Sequence, residues 1–300
     1  MKIKFGVLLL SFVIIFTCAL LGFGCKKEDK PVPVDPQEEM LAVDYRVSND
    51  GTYAVVSGLK GNAKEGEQFS VVIDEFYSGK AVVEVKNDAF KNREEVYDLV
   101  ISERIREIGD SAFYGCKNLS KVYLGNALIT VGESAFQGCE SLNIIDIPSS
   151  VKVIRDYAFS NCTDLIKVGF SGDSKLSEIK NSAFFMCEGM TTIYLPNSVE
   201  TIGAYAFGGC TSLVAVVIGN GTKSIGEGVF YGCDALKYVF YEESEGNWEN
   251  ITVGEKDNES LFSATVCFYS EEEPEENEDG TAYVGNFWHY VNGSPEIWTK

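Results

Sequence analysis

The sequence predicts an α/β solenoid, in which about seven short coils stack and their strands form one parallel sheet. Three observations predict this fold class. One dipeptide recurs at a nearly constant spacing, further apolar residues recur in the same phase, and two of those apolar positions alternate with exposed ones. A unit of 23 residues cannot bury an apolar face alone, so successive units must stack and share one core.

The dipeptide Ala-Phe marks the repeat. Six phenylalanines follow an alanine, a seventh follows Val229, and the intervals between neighbours are 23, 23, 23, 25, 23 and 23 residues. Apolar residues also stand six, nine and eleven positions after each phenylalanine and five positions before it. The copies extend over residues 82–242, and the phenylalanines that mark them are Phe90, Phe113, Phe136, Phe159, Phe184, Phe207 and Phe230.

Each coil is predicted to hold one strand and one tight turn. The positions nine and eleven after each phenylalanine alternate with exposed ones, as in a strand, and Pro148 or Pro196 ends it. The stretch Ile-Gly-x-x-Ala-Phe-x-x-Cys spaces its apolar residues by about three, which favours a single helical or 3₁₀ turn. The longer interval contains a Gly/Ser/Asp cluster at residues 169–174, where the two extra residues are predicted to bulge outward without breaking the stack.

Both ends of the repeat are predicted to carry caps, because the end coils of a solenoid would otherwise expose apolar surface. Residues 45–55 alternate about an Asp-Gly pair, which predicts a hairpin within an N-terminal cap at residues 41–81. In a C-terminal cap at residues 243–300, apolar residues at 248–269 are expected to fold over the last coil. The acidic residues 271–279 should form a surface loop, and residues 287–290 with Trp298 a final docked segment. Residues 41–300 would thus be one folded domain.

Residues 1–24 have the composition of a targeting segment. Lys2 and Lys4 precede an apolar run at residues 5–23, which is also long enough to remain as a membrane-spanning anchor. The sequence Leu21-Gly22-Phe23-Gly24-Cys25 resembles a bacterial lipoprotein signal, although Gly22 stands where a large aliphatic residue is usual. The resemblance implies cleavage after residue 24 and lipidation of Cys25, which would hold the chain on a membrane.

Residues 25–40 are predicted to be the lipidated cysteine and a flexible tether. They contain three prolines and no apolar period, so they cannot bury enough surface to order themselves. The sequence Lys-Lys-Glu-Asp at residues 26–29 resembles the charged tail of surface-exported lipoproteins in the Bacteroidota. This resemblance implies an outer-membrane protein that is exposed on the cell surface.

One coil shows the repeat pattern in full. The pattern Leu-x-x-Ile-x-Ile-Pro-x-x-Val-x-x-Ile-Gly-x-x-Ala-Phe-x-x-Cys runs from Leu142 to Cys162, with Arg155 in place of glycine. It resembles the BspA-like leucine-rich repeat of bacterial surface proteins, over about residues 82–241. The resemblance implies a right-handed leucine-rich-repeat superhelix, adhesion to host or bacterial proteins, and no shared catalytic residue. The first copy departs from the pattern with Arg93 in place of cysteine.

Nine cysteines in an exported chain would normally indicate disulfides, but six of them keep the repeat period. Side chains in such a ladder point in parallel into the stack, an orientation poorly suited to a disulfide. We therefore predict buried free thiols, with disulfides or a thiolate metal site as the alternatives. The same is expected of Cys267, and the ladder consists of Cys116, Cys139, Cys162, Cys187, Cys210 and Cys233.

The composition and motifs disfavour several classes of function. A net charge of −20 repels phosphate backbones, which disfavours nucleic-acid binding. The single histidine, His289, lies between two aromatic residues, where a packed cap residue is expected. Nucleophile, zinc and phosphate-binding motifs are missing, so we predict a protein that is not an enzyme and has no cofactor or metal. A hydrolase of surface polymers is the enzymatic alternative, since any two of the many carboxylates could meet in space.

The outward positions of the predicted sheet, eight and ten residues after each phenylalanine, are the candidate binding surface. They are Asp98, Val100, Lys121, Tyr123, Ile144, Asp146, Lys167, Gly169, Thr192, Tyr194, Ala215, Val217, Tyr238 and Phe240. Aromatic residues are typical binding anchors, although strands favour them in any case. The candidate ligand-binding residues are Tyr123, Tyr194, Tyr238, Phe240, Lys121, Lys167 and Asp146.

The predicted function is therefore non-enzymatic binding or adhesion at the cell surface, with a protein or glycan as the ligand. The alternative is a scaffold or accessory subunit of a surface nutrient-uptake complex, whose partners would be proteins of the same membrane. A monomer is the default expectation for the oligomeric state.

Overall fold

The computed structural model describes residues 42–61, 63, 66–278 and 280–299. The targeting segment, Cys25 and the tether lie outside these residues, so what the sequence predicts for them stays a prediction. Within the described part of the chain, no helix is both long and apolar enough to cross a membrane.

Short strands form almost all of the regular structure. In chain order the elements are β1 (Val43–Val47), β2 (Ala54–Leu59), β3 (Phe69–Val72), β4 (Phe76–Tyr77), β5 (Lys80–Val85), β6 (Val96–Val100), β7 (Glu107–Ile108), β8 (Lys121–Tyr123), β9 (Thr130–Val131), β10 (Ile144–Ile147), β11 (Val153–Ile154), β12 (Lys167–Phe170), β13 (Glu178–Ile179), β14 (Thr192–Tyr194), β15 (Thr201–Ile202), β16 (Ala215–Ile218), β17 (Ser224–Ile225), β18 (Tyr238–Tyr241), α1 (Glu245–Trp248), β19 (Thr252–Val253), α2 (Glu259–Ser263), β20 (Thr265–Tyr269), β21 (Phe287–Val291) and β22 (Ser294–Ile297).

These strands form a parallel solenoid, which confirms the predicted fold class. One sheet has eleven strands in the order β1-β2-β5-β7-β9-β11-β13-β15-β17-β19, with β4 paired to β5. The remaining strands form a five-stranded sheet, β12-β10-β8-β6-β3, and a six-stranded sheet, β14-β16-β18-β20-β21-β22. The β1/β2, β4/β5 and β21/β22 pairs are antiparallel hairpins, and pairs between successive coils are parallel.

Each repeated coil holds two strands, whereas the pattern predicts one strand and one sheet. The additional strands, such as Thr130–Val131, are two residues long and pair with their equivalents in both neighbouring coils. Two residues are too few to show the period of a strand, so the alternation gives no signal there. This ladder extends beyond the phased copies at both ends, through β2 before them and β19 after them.

The stretch around each Ala-Phe is a chain of tight turns and not a single helical or 3₁₀ turn. Alternate N–H groups bond three residues back within the coil, as Cys116 N–H does to Phe113 O. The N–H groups between them bond to the next coil, as Phe113 N–H does to Ala135 O at 2.8 Å. Ser111 at φ 54° and Gly115 at φ 68° lie in the left-handed region, which interrupts any helix. Apolar spacing alone does not reveal these φ angles.

The repeat phenylalanines form one continuous stack through the core. All seven are fully buried, and neighbouring ring centres lie 4.8 to 5.8 Å apart with nearly parallel planes. One contiguous cluster of buried apolar residues extends from Val43 to Leu261. The solenoid therefore has one continuous core from Val43 to Leu261, because each coil covers the apolar surface of its neighbours.

The coil with two extra residues keeps the core stack but interrupts one sheet. Phe159 and Phe184 still stack at 5.3 Å, and β11 still pairs with β13. Residues 171–173 are exposed, as the predicted bulge requires. The longer strands, however, separate into two sheets here, because β12 ends one and β14 begins the next. The expectation of an unbroken stack is thus right for the core and wrong for this sheet.

The two ends differ in how they cover the stack. The predicted hairpin is present as β1/β2, with Gly51 at φ 72° in its turn. At the other end, the apolar segment covers the last coil by adding a further one, since β19 pairs with β17 and β20 with β18. The final hairpin, β21/β22, then follows β20 in the six-stranded sheet.

Candidate binding face

The outward side chains of several successive long strands are accessible to solvent. Lys121, Ile144 and Lys167 lie side by side in the parallel register of β8, β10 and β12, and all three are exposed. Asp146 and, on β14, Tyr194 are exposed as well. Because strands repeat at about 4.8 Å, these side chains form an array of fixed spacing. We call the outward side of β6, β8, β10, β12 and β14 the free face.

Tyr123 is held on the free face by a carboxylate. Its hydroxyl donates to Glu103 Oε1 at 2.5 Å, and Glu103 Oε2 accepts the backbone N–H of Asn126 at 2.7 Å. Partial burial, and to a lesser extent this carboxylate, raise the pKa of Tyr123 to about 12. The phenol is therefore neutral near pH 7, and its orientation is fixed by the hydrogen bond.

The free face includes Tyr97 and Ile166, which the alternation does not predict. Both stand seven positions after their phenylalanine, one position before the outward row. The ammonium of Lys121 lies 5.7 Å from the centre of the Tyr97 ring, which is a cation–π distance. Ile166 is 48% exposed and Ile144 is 45% exposed. The available signal is a large apolar residue at a position where other coils carry Ser120, Asn143, Thr191 and Lys237, and Val214 gives the same signal.

Gly169 leaves room for the side chain of Asp146. A Cβ at Gly169 would lie 2.1 Å from Asp146 Oδ1, so the carboxylate of one strand lies over the glycine of the next. The two residues are direct partners in the β10/β12 register. The carboxylate is thus directed along the face toward β12, in the row beside the one that carries Lys121, Ile144 and Lys167.

The structure corrects the prediction for Phe240, Ala215 and Val217, which are buried and not exposed. Phe240 is 4% exposed and Val217 is 1% exposed. The C-terminal hairpin covers them, and the ring centre of Trp288 lies 5.4 Å from that of Phe240. Tyr238 is half-buried and stacks on Phe240 at 5.8 Å. We call the outward side of β16, β18 and β20 the covered face.

The hairpin that covers this face is marked in the sequence by its turn. Asn292 and Gly293 both adopt positive φ, of 50° and 80°, as the two central residues of a tight hairpin turn do. The docked segment predicted at residues 287–290 is present, and Trp288 is fully buried. His289 stacks on Trp298 with ring centres 3.8 Å apart, so it is a packed residue of the hairpin, as predicted. The sequence analysis predicts the docked segment but neither its hairpin nor the surface on which it lies.

The cysteine ladder is free and buried, as predicted, and so is Cys267. Each ladder thiol donates a weak hydrogen bond to the carbonyl of the phenylalanine one coil earlier, as Cys139 Sγ does to Phe113 O at 3.3 Å. Burial raises the pKa of the Cys116 thiol to about 12, which suppresses thiolate chemistry. Within the described residues, no group of three or more His, Cys, Asp or Glu side chains could hold a metal ion.

The chain belongs to the BspA-type leucine-rich repeat family. The family described as BspA type leucine rich repeat region matches in six copies, over residues 83–188 and 177–253, which is more than half of the 300 residues. The match covers the phenylalanine stack and the cysteine ladder, and it confirms the resemblance drawn from the repeat pattern.

Solved structures of bacterial leucine-rich repeat proteins are similar to this chain. A T. pallidum leucine-rich repeat protein, TpLRR, is 25% identical, with a TM-score of 0.50 over 71% of this chain and 83% of that chain. A leucine-rich cell surface protein of Faecalibacterium prausnitzii is 20% identical, with a TM-score of 0.45 over 75% and 73%. Pneumococcal vaccine antigen PcpA is 17% identical, with a TM-score of 0.40 over 83% and 92%. A comparison with curated protein sequences found no match.

Proposed function

We propose that this protein binds a protein or glycan ligand at the cell surface through its free face. The observation that carries the proposal is the exposed pair Ile144 and Ile166, set among Lys121, Lys167 and Tyr194. Solvation alone would favour charged residues at such positions, and exposed apolar groups with a polar rim are typical of binding surfaces. Membership of the BspA-type family supports the same role, because the family resemblance implies adhesion.

The solenoid suits this role for a physical reason. The array is built on paired strands over a continuous core, so its backbone does not have to be ordered when a ligand binds. Tyr123 is fixed by Glu103, and the Lys121 side chain lies near the Tyr97 ring. Both contacts reduce the side-chain freedom that binding would otherwise remove.

The proposed location is the outer surface of the cell, through a lipid on Cys25. The lipoprotein-like sequence at residues 21–25 supports this location. We expect the wild-type chain to fractionate with membranes and to be cleaved when intact cells are treated with protease. A Cys25→Ala variant that stays on the membrane to the same extent would overturn the lipid anchor.

The free face can be tested with matched triple variants. Lys121→Ala/Ile144→Ala/Tyr194→Ala removes three exposed side chains from this face, and binding is measured on an array of extracellular-matrix proteins and glycans. The control removes the same three residue types elsewhere, at sites of similar exposure: Lys152→Ala/Ile129→Ala/Tyr157→Ala.

We expect the free-face variant to lose at least about tenfold in affinity for any ligand that the wild type captures, and the control to retain it. Equal affinities for the two variants would show that the ligand binds elsewhere. Urea unfolding of both variants establishes that they are folded.

A further inference from the structure

The C-terminal hairpin lies on the covered face as a short peptide would. Its strand β21 pairs with β20 through only two residue pairs, Phe268 with Phe287 and Tyr269 with Trp288. By comparison, β18 pairs with β20 through four. The ladder between hairpin and solenoid is therefore short, and side-chain contacts must supply most of the attachment.

One side chain of the hairpin is fully buried on the covered face. Trp288 is the only buried residue among those described after Cys267. Its ring packs against Phe240 and Tyr269, with centres 5.4 and 5.3 Å apart, and it joins a cluster with Val217. This cluster is separate from the main core.

The indole also makes a directional contact with the solenoid. Trp288 Nε1 donates to the backbone carbonyl of Tyr241 at 3.0 Å. Tyr290, two residues further along the strand, contacts Glu242 through its hydroxyl and packs edge-on against the Trp288 ring at 4.8 Å. Residues two apart in a strand share one side, so the covered face is occupied by a strand with aromatic residues at positions i and i+2.

The connection to the solenoid is long enough for the hairpin to leave and return. Residues 271–286 join β20 to β21, and their described members are exposed or half-buried. Seven of the sixteen are acidic, and the described residues of the segment form one isolated bridge, between Glu276 and Tyr283, and a few backbone hydrogen bonds near it. Extended, sixteen residues span about 50 Å. Because the main core does not include the hairpin, departure of the hairpin leaves the stacked coils in contact.

We propose that the covered face is an exchangeable binding site for an extended peptide segment that carries tryptophan and a second aromatic residue two positions later. In the free chain the hairpin occupies this site. A partner segment of the same chemistry would place its indole against Phe240 and donate its N–H to the Tyr241 carbonyl. The residues that form this site differ from the proposed ligand-binding residues of the free face, so the two proposals can be tested independently.

The test uses the full chain with a recognition sequence for a specific protease inserted between Glu275 and Glu276. After cleavage, a fluorescein-labelled peptide of residues 284–300 is added, and binding is followed by anisotropy. We expect the labelled peptide to replace the cleaved hairpin and to bind the cleaved protein saturably. The uncleaved protein should bind at least about tenfold more weakly, because its tethered hairpin competes at millimolar effective concentration.

Matched peptides identify the anchor. A peptide with Trp288→Ala should bind the cleaved protein at least about 30-fold more weakly, whereas Trp298→Ala, which alters a half-buried ring, should cost less than about tenfold. Equal binding of the two variant peptides would overturn the proposal, as would exclusion of the wild-type peptide after cleavage.

A second variant opens the covered face without cleavage and without an inserted sequence. The uncleaved Trp288→Ala chain should keep the circular dichroism of the solenoid and bind the wild-type peptide. Loss of the solenoid spectrum in either protein would show that the hairpin is an obligatory cap, and would overturn the proposal. Since neither readout uses a ligand of the free face, the result is independent of that proposal.

Discussion

Cysteine recurs in this chain because of what a thiol can do in a narrow, dry space. The phenylalanine carbonyl of one coil accepts two hydrogen bonds: Cys116 N–H in its own coil contacts Phe113 O, and Cys139 Sγ of the next coil lies 3.3 Å from the same oxygen. The sulfur fills the volume of a small apolar residue while its S–H satisfies a lone pair. The period of the cysteines in the sequence predicts their burial. It does not predict the carbonyl acceptor, which depends on the left-handed residues of the turn.

The buried thiols make stability sensitive to alkaline pH. Burial raises the pKa of Cys116 from its ordinary 9.0 to about 12 in the folded chain. The contribution of this buried thiol to the stability of the fold is fully present below pH 9. It is lost as the pH rises from 9 toward 12, because in that range only the unfolded chain releases the thiol proton readily. Within that range, ionisation of Cys116 in the unfolded chain lowers the free energy of unfolding by about 1.4 kcal/mol per pH unit.

Between pH 9 and pH 10.5, we expect the free energy of unfolding of the wild type to fall by about 1 to 2 kcal/mol more than that of Cys116→Ala. Urea unfolding at the two pH values measures the difference. The lower starting stability of the variant does not matter, since only the change with pH is compared. Identical changes in the two proteins would contradict the burial of this thiol.

At the scale of the element, the chain of turns depends on close backbone approach between coils. A Cβ at Gly132 would lie 2.6 Å from the carbonyl carbon of Gly109, which is backbone and cannot rotate away. The recurrence of Ile-Gly in successive coils predicts a tight turn, but it does not show that the glycine faces the preceding coil. The repeat pattern does not predict the second, two-residue strands for a related reason. Their pairing exists only between stacked coils.

Two glycines that differ in their surroundings test this contact. We expect Gly132→Ala to destabilise the protein by about 1 to 3 kcal/mol, because the added methyl group must push two coils apart. Gly172→Ala serves as the control, since a Cβ there meets no heavy atom within 4 Å. Thermal and urea unfolding should place the control within about 0.5 kcal/mol of the wild type. A similar loss in both variants would show that the loss at Gly132 does not come from the contact between coils, because the entropy effect of Gly→Ala is stabilising.

At the scale of the whole molecule, the repeat pattern predicts the architecture well and the binding surface only in part. The outward rows that include Lys121 and Lys167 are where the alternation places them. Phe240 obeys the same alternation and is nevertheless buried, because its cover comes from a segment far along the chain. Periodicity records which side of a strand a residue occupies. It carries no information about what else lies on that side.

Stacking of like residues makes whole coils removable. Deleting residues 133–155 takes out 23 residues and joins Gly132 to Asp156, which leaves every ladder in phase. Since each coil contacts only its neighbours, we expect a folded, cooperatively unfolding protein with a lower melting temperature. Deleting residues 133–144, about half a coil, should abolish folding because it puts polar residues on the core rows. Circular dichroism with thermal melting distinguishes the two outcomes, and a folded half-coil deletion would refute the phase requirement.

The interruption between β12 and β14 also affects how the solenoid can bend. On one side of that coil the ladder of two-residue strands is continuous, whereas on the other the hydrogen-bonded sheet stops and starts again. A rod with one continuous and one divided side bends most easily at the division, with the intact side as its hinge. We therefore expect the solenoid to bend most readily at this coil.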